Sequence, residues 1–243
     1  MIDPFVILLT ACINPNGMGN TLLVDSEERK RQYYKALDYY LMNTDYKIVF
    51  VENTGVDISI DYEIYIRTYR LEVLFFYGNE YDKNKGKGYG EALIIDYALR
   101  NSLFINMNSL IIKISGRYII KNINEIVSHA KEKNTVYSLL LPHKNFSYSF
   151  FFISPCCFLK NFFLPLKENI DDSKQRIFEK VLFLSIIDWC KRRNKYSSFY
   201  QMLQVCACSG TVNKPVTLSE LTGIKYQFKK YIGIALFYYK VVF

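Results

Sequence analysis

Three consecutive residues, Ser115-Gly116-Arg117, directly follow an apolar run at 110–114 that is rich in β-branched side chains. Such a run is typical of a strand buried on most of its surface. Gly116 has no Cβ, so the backbone there can turn sharply or approach a ligand. Arg117 then places a permanent positive charge just past the carboxyl end of the strand, where ligands bind to open α/β sheets. We predict an anion-binding position here; a solvated arginine in a turn fits the same residues.

A second group of candidate residues lies in the polar, glycine-punctuated stretch 78–90. Lys85 and Lys87 alternate there with glycines, among them Gly88. Backbone N–H groups of such a loop can hold a phosphate, and the two lysines would add positive charge. The sequence does not follow the dinucleotide-binding pattern, because no tight strand-to-helix turn surrounds the glycines. A solvated loop is the alternative interpretation of the lysines.

The order of apolar runs predicts the elements that position these residues. Buried strands are expected at 4–12, 46–51, 71–77 and 110–114, and helices at 26–41 (capped by Ser26), 91–104, 123–133, 175–193 and near 221–239. Two aromatic runs at 136–141 and 148–153 resemble further strands. This order favours an α/β fold with a mainly parallel sheet flanked by helices and a helical, aromatic C-terminal part. We expect a single domain over 1–243, with halves at 1–135 and 136–243.

Composition narrows the choice of partners. The 243 residues include 31 Lys and Arg against 23 Asp and Glu, a formal net charge of +8, which suits an anionic partner. Six cysteines without a Cys-x-x-Cys pair, together with two histidines, argue against a zinc site and indicate reduced thiols. No basic region precedes the first apolar run, and no run has transmembrane length, so we expect a cytoplasmic protein. The basic, aromatic tail at 225–243 is typical either of an interfacial helix on an anionic membrane or of a packed terminal helix.

Three short motifs carry a family resemblance. They are the Ile-Asn-Pro-Asn-Gly loop at 13–17, the Glu-Asn-Thr-Gly strand end at 52–55, and the Lys-x-Ser-Gly-Arg-Tyr segment at 113–118. In this order, and with these elements, they resemble the A-type fold of family-2 glycosyltransferases, and more narrowly bacterial capsule and lipopolysaccharide O-antigen glycosyltransferases. The resemblance covers roughly 5–118 well and the remainder weakly.

The resemblance implies transfer of a sugar from a nucleotide-sugar to a lipid-linked surface glycan at the cytoplasmic membrane face. It implies that the end of the first strand, Thr10-Ala11, holds the nucleoside. It also implies that Glu52 and Asn53 lie against the base or ribose. The alternative interpretation is that both residues simply end a strand, with Glu52 acting as a cap or as a surface carboxylate.

One departure from the family pattern concerns metal binding. Where the family carries Asp-x-Asp, this chain has Ser115-Gly116-Arg117, which contains no carboxylate. We therefore expect no cofactor apart from the nucleotide-sugar, with a divalent metal possible but not expected. Arg117 first, then Lys85 and Lys87, would neutralise the pyrophosphate instead, because a guanidinium matches phosphate geometry with two donors.

The general base of an inverting reaction lies, in the family, at the start of a late helix. Glu179 occupies such a position here, followed by apolar residues that would bury the helix. Asp171 and Asp172 at the preceding turn are the second option, and His129 and His143 are weaker ones. An ordinary carboxylate in the first turn of a helix is the competing interpretation of Glu179.

Two other functions compete with this one. A nucleotidyltransferase would need a metal-binding carboxylate pair, which the predicted strand ends lack. A nucleic-acid-binding module would need exposed aromatic and lysine side chains clustered on one sheet face, whereas these strands are predicted to be buried. No nucleic-acid partner is therefore expected.

Overall fold

The computed structural model describes residues 4–15, 17, 21, 23–206 and 224–242, with side chains of the last segment described from residue 233 on. Its strands are β1 Phe5–Ala11, β2 Lys47–Glu52, β3 Leu71–Phe75, β4 Leu110–Ser115, β5 Ile119–Ile120, β6 Thr135–Tyr137, β7 Leu140–Leu141, β8 Phe146–Ser147, β9 Phe151–Pro155, β10 Lys195–Ser197 and β11 Val205–Cys206. Its α-helices are α1 Ser26–Asn43, α2 Glu63–Arg67, α3 Gly86–Asn101, α4 Ile123–Ser128, α5 Cys156–Phe158, α6 Phe178–Lys191 and α7 Ile224–Val242.

Seven strands form one sheet in the order β10-β6-β9-β4-β1-β2-β3. The pairs β1–β2, β1–β4, β2–β3 and β6–β10 are parallel, and β9 runs antiparallel to β4 and β6. Two small two-stranded sheets, β5–β11 and β7–β8, lie outside it. The predicted α/β class with a mainly parallel sheet is confirmed.

The strand register brings the candidate segments to one edge of the sheet. Thr10 lies opposite Ser115, and Ala11 lies opposite Glu52. Because β9 is antiparallel to β4, its first residue, Phe151, lies beside Ile114. The carboxyl ends of β1, β2 and β4 and the start of β9 therefore share one edge, which is where open α/β sheets bind ligands.

Both faces of the sheet are covered by apolar side chains. One face packs against α1 and α4, through residues such as Leu37, Tyr40 and Ile126. The other packs against α3 and α6, through residues such as Ile95 and Phe183. Every residue of β1 is buried, which explains why its sequence is a continuous apolar run and does not alternate.

Helix α3 begins five residues before its predicted start. The glycines at 86, 88 and 90 are not in a loop but form the first turns of the helix. A Cβ at Gly88 would lie 2.8 Å from Cβ of Phe178, so this glycine lets α3 pack closely against α6. The glycine-rich stretch thus serves helix packing, a role that its sequence alone does not distinguish from a flexible loop.

Other helix ends also differ from the prediction. Asp25, and not Ser26, is the N-cap of α1, since its carboxylate accepts a hydrogen bond from the Glu28 amide at 2.9 Å. Helix α6 begins at Phe178 and not at Gln175, because Gln175 has φ of +57° and ends a tight turn. The predicted helix 123–133 ends at Ser128. The first aromatic run, 136–141, contains the end of β6 and all of β7, and the second, 148–153, contains the start of β9.

The last helix docks on the body of the protein. Phe237 is fully buried, with its ring 5.9 Å from Phe183 and 4.7 Å from Tyr196. Lys240 donates to the Pro142 carbonyl at 2.7 Å. Over residues 233–242 the tail therefore packs through one face, while Leu236, Tyr239 and Val242 remain exposed. Among the described helices, none combines the length and apolar character needed to cross a bilayer.

Candidate active site

A cleft of about 500 Å³ lies at the sheet edge where the ends of β1, β2 and β4 meet. It is open on one side and is closed by the starts of α3 and α6 and by residues 148–150. Apart from the alternative bases, eleven residues were proposed from the sequence, and nine of them line the cleft: Thr10, Ala11, Asn53, Lys87, Gly88, Ser115, Gly116, Arg117 and Glu179. The other two, Glu52 and Lys85, do not.

Arg117 is positioned by close packing of β4 on β1 and α1. The Gly116 amide donates to the Thr10 carbonyl at 2.8 Å, and a Cβ on Gly116 would lie 2.8 Å from that same oxygen. Arg117 Nη1 donates to Gln32 Oε1 at 3.0 Å, and its guanidinium carbon lies 5.8 Å from the centre of the Tyr33 ring. No carboxylate of the described residues forms an ion pair with Arg117. Its charge is thus available to an anion in the cleft.

The structure places Glu52 behind the cleft. The residue is fully buried, and its carboxylate accepts from the amides of Ile13, Thr54 and Val56 at 2.7–3.0 Å. The Thr54 hydroxyl adds a fourth hydrogen bond, at 2.6 Å. Because these donors occupy both of its carboxylate oxygens, Glu52 links the loop after β1 to the loop after β2. The expectation that it faces a nucleobase is therefore wrong, because backbone amides surround its carboxylate.

Asn53, the next residue, does line the cleft. It is 2% exposed, and its side-chain oxygen has no hydrogen-bond partner among the described residues. Asn79, which follows β3, has an equally unpartnered side-chain oxygen and lies in the same wall. Buried acceptors without a partner are rare, because desolvation costs about 1–3 kcal/mol each. These two amides are suited to hydrogen-bond a ligand that carries N–H or O–H donors.

The two lysines of the glycine-rich stretch point to different places, because this stretch includes the first turn of a helix. Lys85 forms an ion pair with Glu168 at 2.7 Å and lies over the Tyr89 ring, outside the cleft, which contradicts its proposed phosphate contact. Lys87 lines the cleft, and its charge acts on Asp172, which lines the cleft as well. Because α3 starts at Gly86, the two side chains leave the backbone on different sides of its first turn.

Sequence reasoning missed a buried ion pair below the cleft, between Lys113 of β4 and Glu91 of α3. The Lys113 side chain is fully buried, and its Nζ lies 2.5 Å from Glu91 Oε1. The Lys113 ammonium donates two further hydrogen bonds, to Ser115 Oγ at 3.1 Å and to the Ser149 carbonyl at 2.6 Å. Burial lowers the pKa of Lys113, and Glu91 opposes this effect. The sequence signal for this ion pair was Lys113 itself, a single lysine inside an apolar strand, because a buried charge needs a partner.

Thr10 and Ser115 belong to the same network. Their hydroxyl groups each donate to Glu91 Oε1 at 2.9 Å. Both residues line the cleft as expected, but their side-chain hydrogen bonds hold a carboxylate and not a nucleoside. Ala11 and Gly116 contribute backbone to the cleft wall.

Glu179 lies in the first turn of α6 and lines the cleft. Its Oε1 accepts from Ser149 Oγ at 2.6 Å. Burial raises the pKa of Glu179, and the hydrogen bond from Ser149 opposes this rise; Glu91 adds a smaller rise and Lys113 a smaller decrease. A carboxylate with a raised pKa in a cleft is a candidate general base.

Of the other base candidates, Asp172 lines the cleft and the rest do not. Lys174 holds the pKa of Asp171 at about 2, and that side chain does not line the cleft. Asp172 does line it, and burial raises its pKa. His129 is exposed and stacks on Tyr200 at 4.2 Å, and His143 is exposed on a short turn; neither lines the cleft.

Burial raises the pKa of the Cys12 thiol in the cleft wall to about 11, so it is protonated at neutral pH and is not a nucleophile.

Two α1 residues that the sequence analysis did not single out shape the cleft entrance. Arg29 is 5% exposed and donates to the carbonyls of Cys12, Ile13 and Leu23 at 2.5–3.2 Å. The Tyr33 hydroxyl accepts from the Cys12 amide at 3.0 Å. Together they fasten the segment after β1 onto the helix that also holds Arg117.

The donor set at the end of β4 does not suit a divalent cation. Hard cations take several carboxylate and carbonyl oxygens, whereas this position presents an arginine. The nearby Glu91 carboxylate already receives an ammonium and two hydroxyl groups on one oxygen. In the described part of the chain, no group of three or more His, Cys, Asp or Glu side chains is arranged to hold a metal ion.

Comparisons with known proteins give remote structural similarities. No protein-family model matches the chain, and no curated protein matches it. A solved structure described as the WbbM bifunctional glycosyltransferase is 12% identical, with a TM-score of 0.42 and coverage of 74% of this chain and 38% of that one. A nucleotide-diphospho-sugar transferase from Desulfovibrio desulfuricans G20, so described, is 9% identical, with a TM-score of 0.44 and 98% coverage of both chains.

The third similar structure is a fragment of S. aureus TarS in complex with UDP. It is 11% identical, with a TM-score of 0.40 and coverage of 80% of this chain and 60% of that one. The chain thus spans less than two thirds of both WbbM and the TarS fragment. At these TM-scores the similarities carry no argument about activity. The strand order of the sheet defines the fold class, and any proposal about function depends on the residues of the cleft.

Proposed function

We propose that the protein is a glycosyltransferase that moves a sugar from a nucleotide-sugar to a hydroxyl acceptor. One observation carries the proposal: one cleft at the strand ends combines Arg117, which has no ion-pair partner among the described residues, with a desolvated carboxyl group, Glu179. The first suits a diphosphate leaving group, and the second suits removal of a proton from an attacking hydroxyl.

The reaction needs three events in this cleft. The acceptor oxygen forms a bond to the anomeric carbon, and the bond from that carbon to the phosphate oxygen breaks. Glu179 takes the proton of the acceptor hydroxyl. Arg117, with Lys87 on the facing helix start, stabilises the charge that develops on the departing diphosphate. This assignment describes inversion by a single displacement.

Asn53 and Asn79 are the proposed nucleoside contacts. Both residues line the cleft on its β2–β3 side, and their side-chain oxygens have no hydrogen-bond partner among the described residues. Amide groups recognise the N–H and carbonyl edges of bases or the hydroxyls of ribose. Binding there would satisfy acceptors that are otherwise buried at a cost.

We further propose that the reaction does not need a metal ion and that the acceptor is a lipid-linked surface glycan. The arginine in place of an Asp-x-Asp motif supports the first statement. The second follows from the motif resemblance and from the net charge of +8. It is also supported by the exposed side chains of Leu236, Tyr239 and Val242 on α7, which suit peripheral contact with an anionic membrane.

A ligand panel tests the central proposal. Purified protein is heated with UDP, GDP, CMP and dTDP, with the corresponding nucleotide-sugars, and with single-stranded RNA. A ligand at 100 times its Kd stabilises the folded state by about 2.7 kcal/mol. We expect one nucleotide and its sugar conjugate to raise Tm, and slow release of that nucleotide when the sugar conjugate is incubated with the protein. Stabilisation by RNA alone, or by none of these ligands, contradicts the proposal.

A further inference from the structure

Glu91 has one carboxylate oxygen that receives no hydrogen bond from the described residues of the protein. Oε1 accepts three hydrogen bonds, from Thr10, Lys113 and Ser115. No described residue donates a hydrogen bond to Oε2, although Glu91 lines the cleft and its side chain is 19% exposed. One oxygen is thus immobilised in the floor of the cleft, and the other is open to a ligand.

Lys113 holds this carboxylate and has no capacity left for a ligand. Its ammonium has three donors, and these reach Glu91 Oε1, Ser115 Oγ and the Ser149 carbonyl. The side chain is fully buried and is not part of the cleft wall. It therefore acts on a ligand only through Glu91, by fixing the carboxylate between α3 and β4.

The position of Glu91 identifies the part of the ligand that it meets. Through Ser115, Glu91 is joined to the strand end that carries Arg117, the proposed phosphate contact. Through Lys113 and Ser149, it is joined to Glu179, the proposed base. The group that lies between a leaving phosphate and the attacking hydroxyl is the sugar being transferred. A sugar presents hydroxyl donors, and a fixed carboxylate oxygen is a strong acceptor for them.

We propose that Glu91 binds hydroxyl groups of the donor sugar through Oε2 and thereby selects which sugar is accepted, with Lys113 as its positioning residue. This inference rests on the proposed glycosyl transfer and adds a sugar-binding position to it. A site built to hydrogen-bond a hydroxyl discriminates against analogues that lack it, because the buried acceptor is then left unpaired.

The test compares Glu91→Gln with the double variant Glu91→Gln/Lys113→Met. The double variant removes both charges at similar volume, a change that is often neutral for stability, and thermal unfolding checks that both variants fold. Affinity is measured by calorimetry for the nucleotide-sugar that stabilises wild type most and for the same nucleotide without its sugar. We expect both variants to bind the sugar conjugate about 10-fold or more weakly and the free nucleotide as wild type does.

Donor analogues make the test independent of folding of the variants. Wild-type protein is titrated with conjugates in which one sugar hydroxyl at a time is replaced by hydrogen. At least one analogue should bind about 10-fold more weakly than the parent to wild type, and this difference should disappear in Glu91→Gln. Equal binding of all analogues by wild type overturns the inference, as does an equal loss of nucleotide and conjugate affinity in the variants.

Those outcomes leave the proposed function standing, because wild-type protein still binds the nucleotide. If wild-type protein binds neither nucleotide nor conjugate, the proposed function fails first and this inference fails with it.

Discussion

Arg117 combines a permanent charge with a position at the centre of the sheet edge, at the end of β4 beside β1. Its guanidinium is held by Gln32 and by the Tyr33 ring, both on α1. Replacing Arg117 with Ala removes the proposed phosphate contact without removing a buried group. A charge-assisted contact of this kind is worth about 1.5–3 kcal/mol, so we expect donor affinity or kcat/KM to fall about 10- to 100-fold.

Lys133→Ala is the matched control for that measurement, because Lys133 is exposed and lies outside the cleft. It also removes one positive charge, which keeps the net charges of the two variants equal. The two variants are compared by nucleotide titration and by steady-state transfer. Equal small effects, with both proteins folded, would mean that Arg117 is simply solvated.

Glu179 is the second residue with a testable role. Gln has nearly the same shape and cannot accept the proton, so Glu179→Gln should lower kcat by about 10²–10⁴ and leave nucleotide affinity unchanged. The comparison needs a transfer assay and a binding titration on the same preparation. Near-normal transfer by the variant removes Glu179 from the mechanism.

The pH dependence of Glu179 follows from its burial. Burial raises its pKa above the ordinary range of a glutamate, so activity that needs the ionised form should be lost as the pH falls through this raised pKa. In stability, the folded state binds this proton more tightly than the unfolded state does, and that contribution is lost as the pH rises through the folded pKa. Glu179→Gln should therefore match wild-type Tm near pH 4 and exceed it near pH 8. A variant that is less stable at both pH values would contradict this reasoning.

At the scale of elements, the contact between β4, β1 and α1 sets the cleft geometry. Ser115 pairs with Thr10, and Gly116 then passes over the Thr10 carbonyl, with the Tyr33 ring 3.1 Å from where a Cβ would lie. A side chain at 116 would push the strand end away from α1. The same displacement would move Arg117 relative to Gln32, which lies on that helix.

Gly116→Ala should destabilise the protein by about 1–3 kcal/mol, because an added methyl group meets backbone and a packed ring. Gly233→Ala is the control, since a Cβ there meets nothing within 4 Å and the position is helical. The control should be neutral or stabilising by up to about 1 kcal/mol. Urea unfolding measures both. Equal stability of the two variants would show that the strand end adapts without cost.

At the scale of the whole molecule, the cleft combines three basic side chains with three acidic ones, Glu91, Asp172 and Glu179. Arg29, Lys87 and Arg117 line it, and Lys113 lies beneath it. Nucleotide-sugar binding and transfer should therefore survive treatment with EDTA, since the positive charges belong to the protein. Calorimetry and transfer assays before and after chelation check this expectation. Loss of activity in EDTA that Mn²⁺ restores would show that carboxylates such as Glu91 and Asp172 form a metal site.

The charge of the whole chain leads to a further expectation. With a net charge of +8 and an exposed apolar strip on α7, the protein should sediment with anionic vesicles and not with neutral ones. Binding should weaken as salt is raised, because the attraction is screened. Leu236→Glu/Val242→Glu should reduce it, as both side chains are exposed and do not support the fold. Equal sedimentation with both vesicle types would exclude charge as the cause.

The sequence by itself determined the central strands of the sheet. Its central strands are continuous apolar runs because helices cover both faces, and such runs are visible without any tertiary information. The chain order of strands and helices also placed Thr10, Asn53 and Arg117 at one edge, since parallel strands end on the same side. For that reason most of the residues proposed from strand ends do line the cleft.

Only the tertiary structure decided which charged residues face that cleft. Glu52 and Lys85 looked like ligand contacts, yet one is surrounded by backbone amides and the other is paired with Glu168, which is distant in sequence. Glu91 and Lys113 looked like an ordinary helix residue and an isolated strand charge, yet they meet in the cleft floor. The direction of a side chain follows from the helix start and the strand register, and its partner comes from another element. Neither is encoded in the local sequence, so the ion pairs had to be seen in the fold.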